Sequence, residues 1–144
     1  MALMNTGIKA VTDRMPKVIS ARTHAIIDYA TAAGFFLGAA LFWRNHKRAA
    51  IASLACGLAE AGNVMLTDIP GGVTDLIDLP THLKIDAGLA AGLQTLPTLL
   101  GFGGDAPAWF FRAQGMSIGA VAGLTEVNQG QSRPGRRGPR RKIA

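Results

Sequence analysis

The chain repeats itself at a fixed distance of 58 residues, and this repeat restricts the possible folds more than any other feature. Residues 23–28 read Thr-His-Ala-Ile-Ile-Asp, and residues 81–86 read Thr-His-Leu-Lys-Ile-Asp. The same offset relates residues 66–68, Leu-Thr-Asp, to residues 124–126, Leu-Thr-Glu, without any insertion. We interpret the chain as a tandem duplication of one structural unit.

Two apolar segments in each repeat predict an all-α fold, a bundle of four transmembrane helices made of two duplicated helical hairpins. The segments are 23–43, 48–67, 81–101 and 107–127. Each has about the 20 residues that cross a hydrocarbon core of about 30 Å, and only 17% of the chain is charged. A buried soluble four-helix bundle is the competing fold, but segments that are apolar nearly all round favour the membrane. The predicted membrane domain is 21–127, with repeat 1 at about 19–72 and repeat 2 at about 77–130.

The two ends of the chain predict membrane-surface segments rather than further domains. In 1–20, apolar residues at alternating spacings of four and three predict an amphipathic helix at the membrane interface. In 128–144, six basic residues and almost no apolar ones predict a disordered tail attracted to anionic lipid headgroups. With four spans, most of the fifteen Lys and Arg residues fall on the side of the two termini. The chain is therefore predicted to be a multi-pass protein of the inner (cytoplasmic) membrane with both termini cytoplasmic, and no nucleic-acid partner is expected.

Small residues recur every four positions in three of the segments, which predicts close helix packing where no hydrophobic force acts between helices. The glycines concerned are Gly34, Gly38, Gly88, Gly92, Gly115, Gly119 and Gly123.

The repeated Thr-His-x-x-x-Asp motif predicts one shared polar cluster at the cytoplasmic side. A histidine and an aspartate four residues apart lie on one helix face, and alternating helix directions bring both copies and the two helix exits to one level. Duplication of a two-helix unit also predicts a pseudo-two-fold axis along the membrane normal. The predicted cluster comprises His24, Asp28, Glu60, Asp68, His82, Asp86 and Glu126, with Glu60 two turns deeper.

Three functions remain open for this cluster. In the first, its side chains hydrogen-bond one another, or Thr67 and Thr125, and hold the helices together, as in an integral inner-membrane structural or accessory protein that packs against other membrane subunits. Alternatively, His24 and His82 ligate a haem or a transition-metal ion. The third function is a proton or ion pathway through the duplicated acids. No nucleophile–base pair or phosphate loop occurs, so no catalytic residue is predicted.

Several of these motifs together resemble small bacterial four-helix membrane proteins of, or near, the SPW-repeat family. They are His24-x-x-x-Asp28-Tyr29, residues 66–73 (Leu-Thr-Asp-Ile-Pro-Gly-Gly-Val), Pro80-x-His82 and residues 97–102 (Pro-Thr-Leu-Leu-Gly-Phe). The resemblance covers about 20–127 and implies an integral membrane protein built from two helical hairpins. It implies no activity. The Ser-Pro-Trp that names the family is represented here by Leu96-Pro97-Thr98.

Overall fold

A computed structural model describes residues 14–127 as a bundle of four α-helices joined by short connections. The helices are α1 (Ala21–Phe42), α2 (Lys47–Leu66), α3 (Leu79–Leu99) and α4 (Pro107–Leu124). They have 18 to 22 residues each, which corresponds to a length of about 30 Å. The all-α prediction is therefore confirmed for the described residues. The predicted amphipathic helix and the basic tail lie mainly or wholly in 1–13 and 128–144, outside the described residues.

Equivalent polar residues begin the first helix of each hairpin. The Ser20 side chain accepts a hydrogen bond from the Thr23 backbone N–H, and the Asp78 side chain accepts one from the Thr81 backbone N–H. Such caps satisfy a donor that has no partner inside the helix. They place the starts of α1 and α3 two residues before the predicted apolar segments.

The two hairpins close against each other in the same way at both of their junctions. Thr67, just after α2, forms a parallel bridge with Ile77, and Thr125, just after α4, forms one with Ile19. The two bridges are related by the 58-residue offset, so the connection between the hairpins is matched by a contact between the first and last described segments. Because Thr125 is extended and paired in this way, α4 ends at Leu124, earlier than predicted.

The larger of two apolar clusters lies away from these bridges, toward the other end of the bundle. It is formed around Phe35, Leu93 and Phe111, which are almost completely buried. The smaller cluster, which includes Val64, Ile69 and Leu79, lies at the end that carries the bridges. Helices α1 and α2 pack closely along their lengths, as do α3 and α4, whereas the contact between the two hairpins is much smaller.

Large apolar side chains cover much of the outside of the bundle. Examples that are more than half exposed are Leu37, Leu41, Leu58, Trp109 and Met116. Helices α1 and α2 are long and apolar enough to cross a membrane by length and composition, and they are the two described helices that reach this standard.

The predicted packing glycines divide into two groups. A Cβ atom added at Gly34, Gly38, Gly115 or Gly123 would lie less than 3.0 Å from a neighbouring side chain, and at Gly119 it would make an ordinary contact. At Gly88 and Gly92 it would meet nothing within 4 Å. Helix packing through Gly88 and Gly92 stays a prediction, because the rotation of α3 turns this face outward and the two glycines make no close contact within the described bundle.

Alanine substitution should separate the two groups. Gly115→Ala is expected to lower the free energy of unfolding by about 1–3 kcal/mol, because the new methyl group would overlap the backbone oxygen of Ala90 and the side chain of Leu93. Gly88→Ala is the matched control and is expected to raise it by about 0.4–1 kcal/mol, since the unfolded chain loses freedom. Thermal unfolding in detergent measures both. Equal effects of the two substitutions would contradict this packing.

The Asp78 cap should make the start of α3 sensitive to acid. Hydrogen bonds from Thr81 hold the pKa of the Asp78 carboxyl below its ordinary value. The stabilisation of the fold by the ionised Asp78 carboxylate is therefore complete above the pKa of this group in the unfolded chain. It is lost as the pH falls through the lower pKa of the folded protein. We expect Asp78→Ser, which copies the Ser20 cap, to be less stable than the wild type at neutral pH and equally stable in acid. Unfolding measured across this pH range tests the expectation, and a difference that is independent of pH would contradict it.

Candidate metal centre

Four ionisable side chains from the two repeats meet between the hairpins, one to two turns inside the end that carries the bridges. His24 and Asp28 come from α1, and His82 and Asp86 come from the same positions of α3. All four are buried, with exposed fractions between 0% and 4%. One potential ligand atom of each lies within 4.8 Å of the others. The duplicated motif thus forms a single site, to which each repeat contributes one histidine and one aspartate.

The two histidine nitrogens at the centre of this site lie close to each other and to both aspartates. The two Nε2 atoms are 3.0 Å apart. Asp28 Oδ2 lies 3.2 Å from His24 Nε2 and 3.0 Å from His82 Nε2. Asp86 Oδ2 lies 3.0 Å from His24 Nε2 and 3.1 Å from His82 Nε2. Each histidine nitrogen is thus within hydrogen-bonding or metal-sharing distance of one oxygen of each aspartate.

Two threonines determine which nitrogen of each histidine carries the proton. The Thr125 hydroxyl donates its hydrogen to the Val121 carbonyl at 2.6 Å and lies 2.6 Å from His24 Nδ1. Because a hydroxyl has a single hydrogen, Nδ1 must be the donor in the second contact. The same pattern recurs at His82, where the Thr67 hydroxyl donates to the Asn63 carbonyl and lies 2.8 Å from Nδ1. In the neutral form, each imidazole would therefore direct an Nε2 lone pair toward the centre.

A metal ion of the zinc class fits this arrangement. The five distances of 3.0–3.2 Å are close to the roughly 3.3–3.6 Å that separate ligand atoms around a tetrahedral zinc ion with bonds of about 2.0–2.2 Å. Metal-bound histidines usually donate their second N–H to a fixed acceptor, which sets the ring orientation. The two threonine hydroxyls occupy these acceptor positions. Imidazole nitrogens and carboxylate oxygens are also ligands that zinc commonly takes.

A haem does not fit the same residues. Axial histidines on opposite faces of a haem would hold their ligating nitrogens about 4 Å apart, two metal–nitrogen bond lengths. Here the distance is 3.0 Å, and Asp28 and Asp86 lie where the porphyrin ring would have to pass. The haem alternative is therefore set aside.

Asn63 was not among the residues that the sequence singled out, yet it holds one of the candidate ligands. Its side-chain amide donates to Asp86 Oδ1 at 2.7 Å and lies 3.4 Å from the His82 carbonyl. Its position in the sequence could have identified it, because Asn63 is a polar residue in a largely apolar helix, one turn before Thr67 and three residues after Glu60. This hydrogen bond leaves Oδ2 of Asp86 directed at the centre.

The other three predicted acids have separate positions. Glu60 is almost completely buried, and neither of its carboxylate oxygens has a hydrogen-bond partner among the described residues. Asp68 and Glu126 follow Thr67 and Thr125 and are half-buried, and their backbone N–H groups donate to the carbonyls of Ile77 and Ile19. Neither belongs to the group of four. The seven predicted residues thus form a central group of four, one neighbouring carboxyl group and two acids at the helix exits.

The third histidine of the chain lies at the opposite end of the bundle. His46 precedes α2 and lines an open groove with Lys47, Arg48 and Asp105. It takes no part in the central group. Comparison of the chain with protein-family models, with curated proteins and with solved structures finds no match.

Proposed function

We propose that this chain is an integral membrane protein that binds one divalent transition-metal ion, zinc by its ligand set, between its two repeats. The observation that carries the proposal is the convergence of one ligand atom each from His24, Asp28, His82 and Asp86 within 4.8 Å of one another in a buried site. The ion joins the two hairpins, since each supplies half of its ligands.

The distribution of polar and apolar groups supports the membrane part of the proposal. Charged and hydroxyl side chains are buried inside the bundle, whereas leucines, tryptophans and methionines are exposed on its surface. Ionisable residues of membrane proteins face the bundle interior in this way. We propose four spans in the inner membrane, with the centre near the cytoplasmic face because that end adjoins the more basic side of the chain. An accessory role beside other membrane subunits remains a prediction.

The ligand set favours a structural role for the ion over a catalytic one. Catalytic zinc sites have three protein ligands and leave a fourth position for water or substrate, whereas structural sites are closed by four protein ligands. Four side chains contribute one candidate ligand atom each, and all four residues are shielded from solvent. The limited direct contact between the hairpins gives such an ion a clear role in holding them together.

Protons offer the alternative way to neutralise two facing aspartates. Each Nε2 would then carry a hydrogen that an aspartate oxygen accepts at 3.0–3.2 Å, and two positively charged rings would hold these nitrogens 3.0 Å apart. Like charges at this distance oppose one another. A single divalent ion balances the two carboxylates and leaves both rings neutral, and Nδ1 donates to Thr125 or Thr67 in either form.

Metal analysis of the purified protein tests the proposal. We expect one zinc ion per chain after purification without chelator, and Co²⁺ substitution is expected to give the intense visible absorption of a tetrahedral Co²⁺ site. Asp28→Ala should abolish both signals, whereas Asp105→Ala, at the opposite end of the bundle, should leave them unchanged. A folded, membrane-inserted protein that is free of metal and binds no Co²⁺ would refute the metal site and favour a cluster held by protons.

A further inference from the structure

The two repeats differ at one place next to the candidate metal centre. The residues that correspond to Glu60 and Asn63 in the second repeat are Ile118 and Val121, whereas the two threonines are conserved between the repeats at Thr67 and Thr125. Glu60 and Ile118 are both buried, with exposed fractions of 1% and 4%. The otherwise symmetric site therefore has a polar side on α2 and an apolar side on α4.

Three oxygen atoms on this polar side have no donor. They are both carboxylate oxygens of Glu60 and the side-chain oxygen of Asn63, and each is buried without a hydrogen-bond partner among the described residues. Asn63 has already directed its amide hydrogens to Asp86 and the His82 carbonyl. The two residues are three apart on one helix, so their side chains are neighbours on its surface. An ionised carboxylate in such surroundings is costly unless a positive charge accompanies it.

A charge count indicates how much positive charge is missing, and this step rests on the proposed metal site. A divalent ion balances Asp28 and Asp86 if His24 and His82 are neutral, so the centre itself has no net charge. These four groups are the charged neighbours of Glu60 from α1 and α3. On its own helix the nearest titratable neighbour is the Cys56 thiol.

Helix α4 does not supply the missing charge either. Arg112 is its one ionisable residue, and its guanidinium donates to the Gly103 carbonyl at the other end of the bundle. Within residues 14–127, Glu60 therefore lacks one positive charge, which is the charge of a monovalent cation.

We propose that Glu60 and Asn63 form a second site, beside the metal, that holds one monovalent cation on their three unpartnered oxygens. The cation is a proton or Na⁺, which meet the same charge and oxygen-ligand requirement. A proton converts Glu60 into a neutral carboxylic acid, and Asn63 Oδ1, one turn along the same helix, is a buried oxygen that still lacks a donor among the described residues. A sodium ion is instead shared among the three oxygens. In either form the site exists in the first repeat alone.

Infrared spectroscopy of the full-length, zinc-loaded protein in lipid tests the proposal and identifies the cation. A proton on Glu60 gives a carboxylic-acid C=O stretching band at neutral pH, which shifts in D₂O and is absent from Glu60→Gln. The matched control Glu126→Gln, at the exit of α4, retains the band. If Na⁺ is the occupant, the band is absent, and NaCl raises the unfolding temperature above that in choline chloride for the wild type but not for Glu60→Gln.

The outcomes distinguish this proposal from the metal site itself. A zinc-loaded wild type with neither the band nor a sodium-specific stabilisation overturns the second site and leaves the metal site standing. A metal-free protein that still shows the Glu60 band removes the metal site and retains the second. If Glu60→Gln does not fold, ¹³C-labelling of the glutamate side chains in the wild type assigns the band without any substitution, and an unshifted band overturns the proton form.

Discussion

His82→Ala is expected to abolish metal binding and to lower the free energy of unfolding by about 3–5 kcal/mol, the typical cost of removing one partner from a buried charged group. The substitution removes one of four ligands, and it leaves Asp28 and Asp86 facing each other with one histidine between them. The Thr67 hydroxyl also loses its contact with His82 Nδ1. Zinc content and chemical unfolding of the detergent-solubilised protein measure the two effects.

The third histidine provides a matched control. His46→Ala removes an imidazole from the loop before α2, outside the central group, and is expected to change neither zinc content nor stability measurably. His24→Ala should reproduce the effect of His82→Ala, because the two residues occupy equivalent positions. Full zinc occupancy in both cluster variants would exclude these histidines as ligands.

Cutting the chain between the hairpins is expected to make their association depend on metal. The segment between α2 and α3 is exposed at Asp75 and Leu76, so a protease site inserted between these residues is accessible. With zinc bound, the two fragments should stay together, because each supplies two ligands and structural zinc sites contribute roughly 10–16 kcal/mol of binding free energy in small peptides. A strong chelator should separate them. Size-exclusion chromatography in detergent measures the association.

Two further samples complete this experiment. The cut His82→Ala protein should separate even with zinc present, and readdition of zinc to chelated wild-type fragments should restore the complex. Fragments that stay associated in excess chelator would show that helix packing alone holds the hairpins together, and the ion would then have no structural role.

The repeat explains how much of the architecture could be read from local patterns. Ser20 and Asp78 each cap the first helix of their repeat, and four apolar segments of about 20 residues correspond to α1 to α4. The spacing of His24 and Asp28 places both on one helix face, as it does for the second copy. These properties depend on neighbours a few residues apart, which is why the linear sequence determines them.

The positions of the acids depended on contacts between helices. Spacing predicted seven polar residues at one end of the bundle, yet four of them converge at 3.0–3.2 Å, while Asp68 and Glu126 lie at the helix exits. A helix turns by about 100° per residue, so neighbouring residues of one helix point in different directions. Which side chains from different helices come into contact depends on how each helix is rotated about its axis. That rotation is set by helix packing and cannot be derived from the spacing of residues along the sequence.

By itself, the sequence determined the duplication, the four helices, their caps and the pairing of each histidine with an aspartate one turn later. Only the tertiary structure decided that both histidines lie 3.0–3.2 Å from both aspartates, that Asn63 donates to Asp86, that Glu60 has no donor among the described residues and that Gly88 and Gly92 face outward. The physical reason is the precision involved. A ligand set requires atoms placed to within a few tenths of an ångström, and such distances are fixed by the packing of side chains from residues far apart in the chain.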